Sequence, residues 1–135
     1  MIYILDTNIC IYWLKQVSEP LIRKVKSTGL ASMAITNSVL AELYFGAYHS
    51  GQVEENRRRI ERFKKPLRIY ADDEKSAEIF GRLKAALYKK GRPVEDFDLL
   101  LASIALANDC TLVTNNTSHF KRIPDLRLEN WSAAH

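Results

Sequence analysis

Three acidic side chains occupy positions from which they could act together chemically. Asp6 directly follows a short apolar run, Glu42 lies among apolar or small neighbours of a helical segment, and Asp98 lies in the first turn of an apolar helical segment. Clustered carboxylates repel one another and raise each other's pKa unless a cation neutralises them. Mg²⁺ or Mn²⁺ suits a site of a few carboxylates plus water. The three residues are therefore candidate metal ligands, provided that the fold brings them together.

Each acid also has a simpler structural explanation. Asp6 is a good helix N-cap or turn residue, and Glu42 is a single acid on a helix. Asp98 would interact favourably with a helix dipole, and the nearby Glu95 and Asp96 could serve the same purpose. Asp96 is also the competitor of Asp98 for the third acidic position. Spacing alone leaves these alternatives open.

Other kinds of site are poorly supported. The three histidines (His49, His119 and His135) have no cysteine neighbour and no second histidine one helical turn away, which argues against a zinc site. The five glycines are scattered, so there is no glycine-rich phosphate loop. Cys10 and Cys110 lie in apolar stretches and imply no disulfide framework, which favours a reducing, cytoplasmic setting.

Short apolar runs typical of buried strands alternate along the chain with segments of helical periodicity. Strands are predicted at 2–5, 33–35, 67–70, 111–114 and 126–128, and helices at 8–15, 20–28, 36–50, 53–65, 73–90 and 97–108. The alternation predicts an α/β fold, a three-layer sandwich with a mainly parallel central sheet flanked by helices. Ligands of such sheets bind beyond the carboxyl ends of the strands, where Asp6 lies.

Composition places the chain among ordinary globular domains. It has 135 residues, of which 47% are hydrophobic and 27% charged, and neither a linker nor a repeat interrupts it, so we expect one domain over 1–135. The N-terminus has no basic signal region, and no apolar run approaches the roughly 18 residues that span a bilayer. Membrane and secreted classes are therefore not expected.

Four segments occur in an order that resembles one known family. They are Leu5-Asp6-Thr7-Asn8, Ala41-Glu42-Leu43 with Gly46, Pro93 to Asp98 running into Leu101-Ala102, and Val113-Thr114-Asn115-Asn116 through Phe120. Together they resemble the PIN-domain nucleases, and in particular the VapC-type toxins of toxin–antitoxin pairs. The resemblance covers nearly the whole chain and implies a PIN-like fold and a metal-dependent endoribonuclease.

The resemblance also implies roles for individual residues. Asp6, Glu42 and Asp98 fall on the family's acidic metal positions, and the register before Leu101 favours Asp98 over Asp96. An ion there, Mg²⁺ or Mn²⁺, would polarise the scissile phosphate and activate a water. Asn116 stands where the family often has a fourth acid. An amide can orient a water but adds no charge, so a second ion has less support.

The net charge of +4 is unevenly distributed. Residues 57–92 hold 13 of the 20 Lys and Arg against five acids, a surplus of +8, and the rest of the chain carries −4. A basic run is usually a solvated helix face. Beside the phosphodiester-cleaving pocket that the resemblance implies, contact of the Arg57–Arg92 region with the RNA backbone is the better interpretation.

The resemblance further implies partners. A cognate VapB-like antitoxin would block the acidic pocket, the substrate would be transfer RNA, with initiator tRNA suspected, and homodimers are common in the family. Five aromatic residues could form an apolar dimer interface or, equally, pack in the core: Tyr12, Trp13, Tyr44, Phe45 and Tyr48. The alternative function is a non-catalytic nucleic-acid-binding or regulatory module with a PIN-like fold, which the neutral Asn116 favours.

Overall fold

A parallel sheet forms the centre of the computed structural model, which describes residues 1–132; His135 lies outside them. Its strands are β1 (Tyr3–Leu5), β2 (Met33–Thr36), β3 (Arg68–Tyr70), β4 (Thr111–Val113) and β5 (Leu128–Glu129). They are ordered β3-β2-β1-β4-β5, and all neighbouring strands run parallel. The central strand is therefore β1, and the carboxyl ends of β2 and β4 flank its own.

Helices connect and cover these strands. They are α1 (Thr7–Lys15), α2 (Glu19–Thr28), α3 (Asn37–Tyr48), α4 (Val53–Lys64), α5 (Glu74–Lys89), α6 (Asp96–Ala107) and α7 (Thr117–Phe120), with a 3₁₀ turn at Leu30–Ser32. The predicted α/β fold is confirmed, and every predicted strand and helix is present with its ends shifted by at most two residues. The short α7 was not predicted, because a single turn is too short to show helical periodicity.

Burial of the strands and of α6 holds the site-bearing ends of these elements in place. Ile4, Ile35 and Leu112, from the three central strands, are all 0% exposed. Helix α6 is apolar on almost every side, and its residues Leu99 and Leu101 are also fully buried. Because core packing of this kind resists movement, the first turn of α6 has a fixed position relative to the sheet.

Membrane-spanning helices were not expected from the sequence. No helix within residues 1–132 has both the length and the apolar character that crossing a membrane requires.

Candidate active site

Asp6 is anchored at the carboxyl end of β1, where the chain turns into α1. Its backbone N–H donates to Val113 O at 3.1 Å, which continues the pairing of β1 with β4. Its side chain is the N-cap of α1, with Oδ1 accepting from the Ile9 N–H at 2.9 Å. Asp6 is only 8% exposed. The simpler structural role is thus real, and it fixes the carboxylate at the carboxyl end of the central strand.

Asp98 and Asp96 point to different surroundings, although both lie in the first turn of α6. Asp96 pairs with Lys84 of α5, with 3.0 Å between Oδ1 and Nζ, and raises the pKa of that lysine. Asp98 instead lines a cavity together with Asp6. The structure therefore separates the two competing acids, and Asp98 is the one near the end of the central strand.

A cavity of about 230 Å³ brings the three candidate acids together. Asp6 comes from the end of β1, Glu42 from the middle of α3, and Asp98 from the start of α6. Glu42 is exposed, whereas Asp6 is buried and Asp98 is half-buried. The remaining lining residues are Thr7, Asn8, Phe97 and Leu101. Acids that are far apart in sequence thus share one partly solvated space.

The segment that follows β4 contacts both of the less exposed acids. The Thr114 side chain lowers the pKa of Asp6, and Nε2 of His119 lies 3.2 Å from Oδ2 of Asp98. The Asn116 side chain is exposed and does not line the cavity, while its backbone N–H donates to Thr114 Oγ1 at 3.0 Å. Only the backbone of Asn116 is therefore linked to the site, through Thr114.

The electrostatics of the site disfavour ionised carboxylates in the absence of a cation. Burial raises the pKa of Asp6, the Thr114 and Ile9 hydrogen bonds oppose that rise, and the charge of Asp98 adds to it. Burial also raises the pKa of Asp98, against the lowering effect of His119. A bound cation would reverse both penalties, because it favours the charged form of each carboxylate.

The donor set can be tested against the needs of a divalent ion. Within residues 1–132, no three His, Cys, Asp or Glu side chains lie close enough to bind one ion directly. Mg²⁺ usually keeps several waters and takes one or two carboxylates, and a cavity of about 230 Å³ has room for those waters. The Thr7 hydroxyl in this cavity is buried without a partner in the described chain. These residues fit a hydrated ion rather than a closed cage.

A second, more apolar groove of about 230 Å³ begins at Glu42. It lies between α1, α3 and α4, and Glu42 borders both this groove and the acidic cavity. Two basic residues, Lys15 and Arg59, also line it. Arg59 pairs with Glu55 of its own helix at 2.9 Å. The groove thus leads from the acidic cavity to the basic helix α4.

The basic region divides into paired and unpaired residues. Arg57 and Arg59 are bound to glutamates of α4, as a solvated helix face would be. Arg58, Arg62 and Lys65 are exposed and share one side of that helix by their spacing. None of these three forms an ion pair with another residue of the described range. They are free to contact an external polyanion.

Two features of the site were missed in the sequence. His119 was considered only for zinc, because its contact with Asp98 crosses 21 positions of the chain and depends on tertiary packing. The available signal was its place on the segment that opens with Thr114. The groove between α1, α3 and α4 was also missed, since it is formed by the packing of three helices.

Comparison with known proteins gives the family. The model of the PIN domain matches residues 3–126. Ribonuclease VapC2 of Rickettsia felis is 40% identical over 132 residues, which cover 97% of this chain and 98% of that protein. The tRNA(fMet)-specific endonuclease VapC of Shigella flexneri is 36% identical and covers 96% of this chain and 98% of its own. In the DNA-bound VapBC structure from Salmonella typhimurium, a chain 34% identical aligns with a TM-score of 0.90, over 97% of this chain and 98% of that one. The resemblance inferred from the sequence motifs is confirmed, and the chain belongs to the PIN-domain family, among the VapC ribonucleases.

Proposed function

We propose that this protein is a Mg²⁺- or Mn²⁺-dependent endoribonuclease and the toxin of a toxin–antitoxin pair. The observation that carries the proposal is the convergence of Asp6, Glu42 and Asp98, from three different elements, on one cavity beside the end of β1. Convergence of this kind at a parallel sheet edge is typical of a ligand site. Burial raises the pKa of both Asp6 and Asp98, and a bound cation would favour the charged form of each carboxylate.

The exposure of each side chain indicates its role in the proposed reaction. Asp6 and Asp98 would hold the ion, because they are the less exposed acids and are each supported by a neighbouring side chain. When bound, the ion polarises the scissile phosphate and lowers the pKa of an attacking water. Glu42, which is exposed, would orient water at the cavity mouth. The unpartnered Thr7 hydroxyl would donate to a water or a phosphate oxygen.

The substrate proposed is RNA held along the basic side of α4. Arg58, Arg62 and Lys65 are exposed cations without ion-pair partners in residues 1–132. Arg59 extends this basic surface into the groove that ends at Glu42. Such contacts neutralise phosphates and make affinity depend steeply on salt. Among tRNAs, initiator tRNA is the proposed target, since the Shigella flexneri relative is named for tRNA(fMet).

The partner proposed is a VapB-like antitoxin that occupies the groove between α1, α3 and α4. The relative from Salmonella typhimurium was solved as a VapBC complex. In this chain the groove is lined by apolar residues such as Leu14 and Ile60 and shares Glu42 with the acidic cavity. A segment bound in the groove would therefore close one side of the cavity. Inhibition and binding would then depend on the same surface.

We also propose a homodimer. Fewer of the five aromatic residues considered from the sequence are available for its contact. Tyr12, Trp13 and Tyr44 are half-buried and pack against the core. Phe45 and Tyr48 are 64% and 62% exposed and lie on one side of α3. These two residues are the proposed apolar contact, and the molar mass in solution by light scattering tests it.

The proposed activity is tested by incubating the wild-type protein with total tRNA. Mg²⁺, Mn²⁺ and EDTA are compared, and the 5′ ends of the products are mapped. We expect cleavage with either metal and none in EDTA, with initiator tRNA cut first. Cutting that is equal in EDTA would remove the metal from the proposal, and preferential cutting of other RNAs would remove initiator tRNA. RNA binding without any cutting would favour the non-catalytic module that Asn116 suggested.

A further inference from the structure

The short segment that follows β4 lies against both Asp6 and Asp98, which come from different elements. It runs from the end of β4 through α7, and Thr114 at its start is close enough to Asp6 to lower the pKa of that carboxyl. Five residues later, Nε2 of His119 lies 3.2 Å from Oδ2 of Asp98. The segment is itself fixed to the loop before α6, because Arg122 Nη1 donates to Pro93 O at 3.2 Å. The imidazole is therefore held against the first turn of α6.

The environment of the imidazole leaves Asp98 as its natural partner. The His119 side chain is 20% exposed, and its ring packs edge-on against Phe120 with 5.3 Å between ring centroids. Nε2 itself is buried and has no aligned hydrogen bond within residues 1–132. Buried N–H groups are generally paired in folded proteins. Hydrogen bonds of active sites are often long or misaligned before a ligand binds and tighten in the complex, so the present geometry is compatible with this partnership.

We propose that His119 is a positioning residue of the metal site, whose Nε2–H holds Oδ2 of Asp98 so that Oδ1 is presented to the cavity. The inference rests on the proposed metal-dependent activity and names a residue that supports it. A neutral imidazole with its proton on Nε2 is a sufficient donor.

Partners of this kind orient a metal-binding carboxylate, and their loss typically costs about 10–100-fold in metal affinity. The experiment measures Mn²⁺ affinity of the purified protein by electron paramagnetic resonance of free Mn²⁺. His119→Leu removes the donor and keeps an apolar contact for Phe120. His119→Gln places an amide N–H near the position of Nε2. Ser118→Ala, an exposed neighbour on α7 outside the cavity, is the matched control.

We expect affinity to fall about 10–100-fold in His119→Leu and to stay within about threefold in His119→Gln and Ser118→Ala. Cleavage by His119→Leu should recover as Mn²⁺ is raised, since the carboxylates are intact. Wild-type affinity in His119→Leu would overturn the proposal. An equal loss in both His119 variants would also overturn it, in favour of an imidazole nitrogen bound to the metal.

Two controls separate the possible failures. If His119→Leu does not fold, as judged by circular dichroism, His119→Asn replaces it, because its shorter amide does not reach Oδ2. The same two results, wild-type affinity or an equal loss in His119→Gln, then decide against the proposal. Failure of the metal-dependent function has a different signature: the wild-type protein itself would bind no Mn²⁺, and the inference about His119 would fall with it.

Discussion

Replacing Asp6 with asparagine should separate the stability of the fold from its activity. The substitution removes the charge but keeps a side-chain oxygen that can accept from the Ile9 N–H, as Asp6 Oδ1 does at 2.9 Å in the wild type. The charge is costly in the metal-free protein, because burial raises the pKa of Asp6 and Asp98 raises it further. We therefore expect metal-free Asp6→Asn to be at least as stable as the wild type at neutral pH while all cleavage is lost.

The sign of the pH dependence follows from that raised pKa. The folded protein holds the Asp6 proton more tightly than the unfolded chain, whose pKa is the ordinary 3.8. The wild type therefore loses free energy of unfolding as pH rises from that value through the higher folded pKa. Asp6→Asn has no carboxyl to titrate at this position, so its free energy of unfolding does not fall in this way. The difference in stability between the two proteins should grow in favour of the variant over this interval.

The expected magnitudes come from the cap and from the metal. Asp6→Ala loses the cap of α1 as well, at about 0.5–2 kcal/mol, and 1 kcal/mol lowers the Tm of a domain of this size by roughly 4 °C. Mn²⁺ at about 100 times its Kd should stabilise the wild type by about 2.7 kcal/mol. Neither Asp6 variant should gain this stabilisation, because both lack the charged ligand.

Thermal unfolding followed by circular dichroism measures all of these effects. The wild type, Asp6→Asn and Asp6→Ala are compared at acidic and neutral pH, with and without excess Mn²⁺. The reasoning would be refuted if Mn²⁺ stabilised Asp6→Asn as much as the wild type. It would also be refuted if metal-free Asp6→Asn were as unstable as Asp6→Ala, since the loss of the charge, which the two variants share, and not the loss of the cap would then decide stability.

The other predictions concern the remaining acids and the basic helix. Asp98→Asn should reduce cleavage by at least about 100-fold, more than the loss of an indirect partner, with an unchanged circular dichroism spectrum; cleavage within threefold of wild type would contradict this. Glu42→Gln should weaken apparent Mg²⁺ affinity by about tenfold if it acts through water, and a metal titration of the cleavage rate should show recovery at high Mg²⁺. Arg58→Ala with Arg62→Ala should lower the slope of log affinity against log salt by about 0.7 for each phosphate that is no longer neutralised. Fluorescence anisotropy with labelled tRNA measures that slope, and an unaltered slope would exclude these arginines from the RNA-binding surface.

Much of the architecture could be predicted because it depends on local pattern. The apolar run that becomes β1 ends abruptly at Asp6, and the almost wholly apolar segment that becomes α6 begins beside Asp98. Such patterns specify element type and burial. In a parallel sheet they also place the strand's carboxyl end, and hence Asp6, near the expected ligand edge.

The rest depends on packing between distant segments, which no local pattern encodes. The approach of His119 to Asp98, and the separation of Asp96 toward Lys84, follow from how α5, α6 and α7 meet. The aromatic residues of α1 and α3 were equally ambiguous. Tyr12 is tied internally, since its hydroxyl accepts from Asn115 Nδ2 at 3.1 Å, whereas Phe45 is exposed.

We propose that the cavity lined by Asp6, Glu42 and Asp98 holds the metal ion that RNA cleavage requires. The most direct measurement is an anomalous difference map from crystals of the wild-type protein soaked in Mn²⁺. We expect a peak within that cavity, from an ion bound by Asp6 or Asp98 and surrounded by water. A cavity without a peak, or Mn²⁺ bound only elsewhere on the molecule, would contradict it.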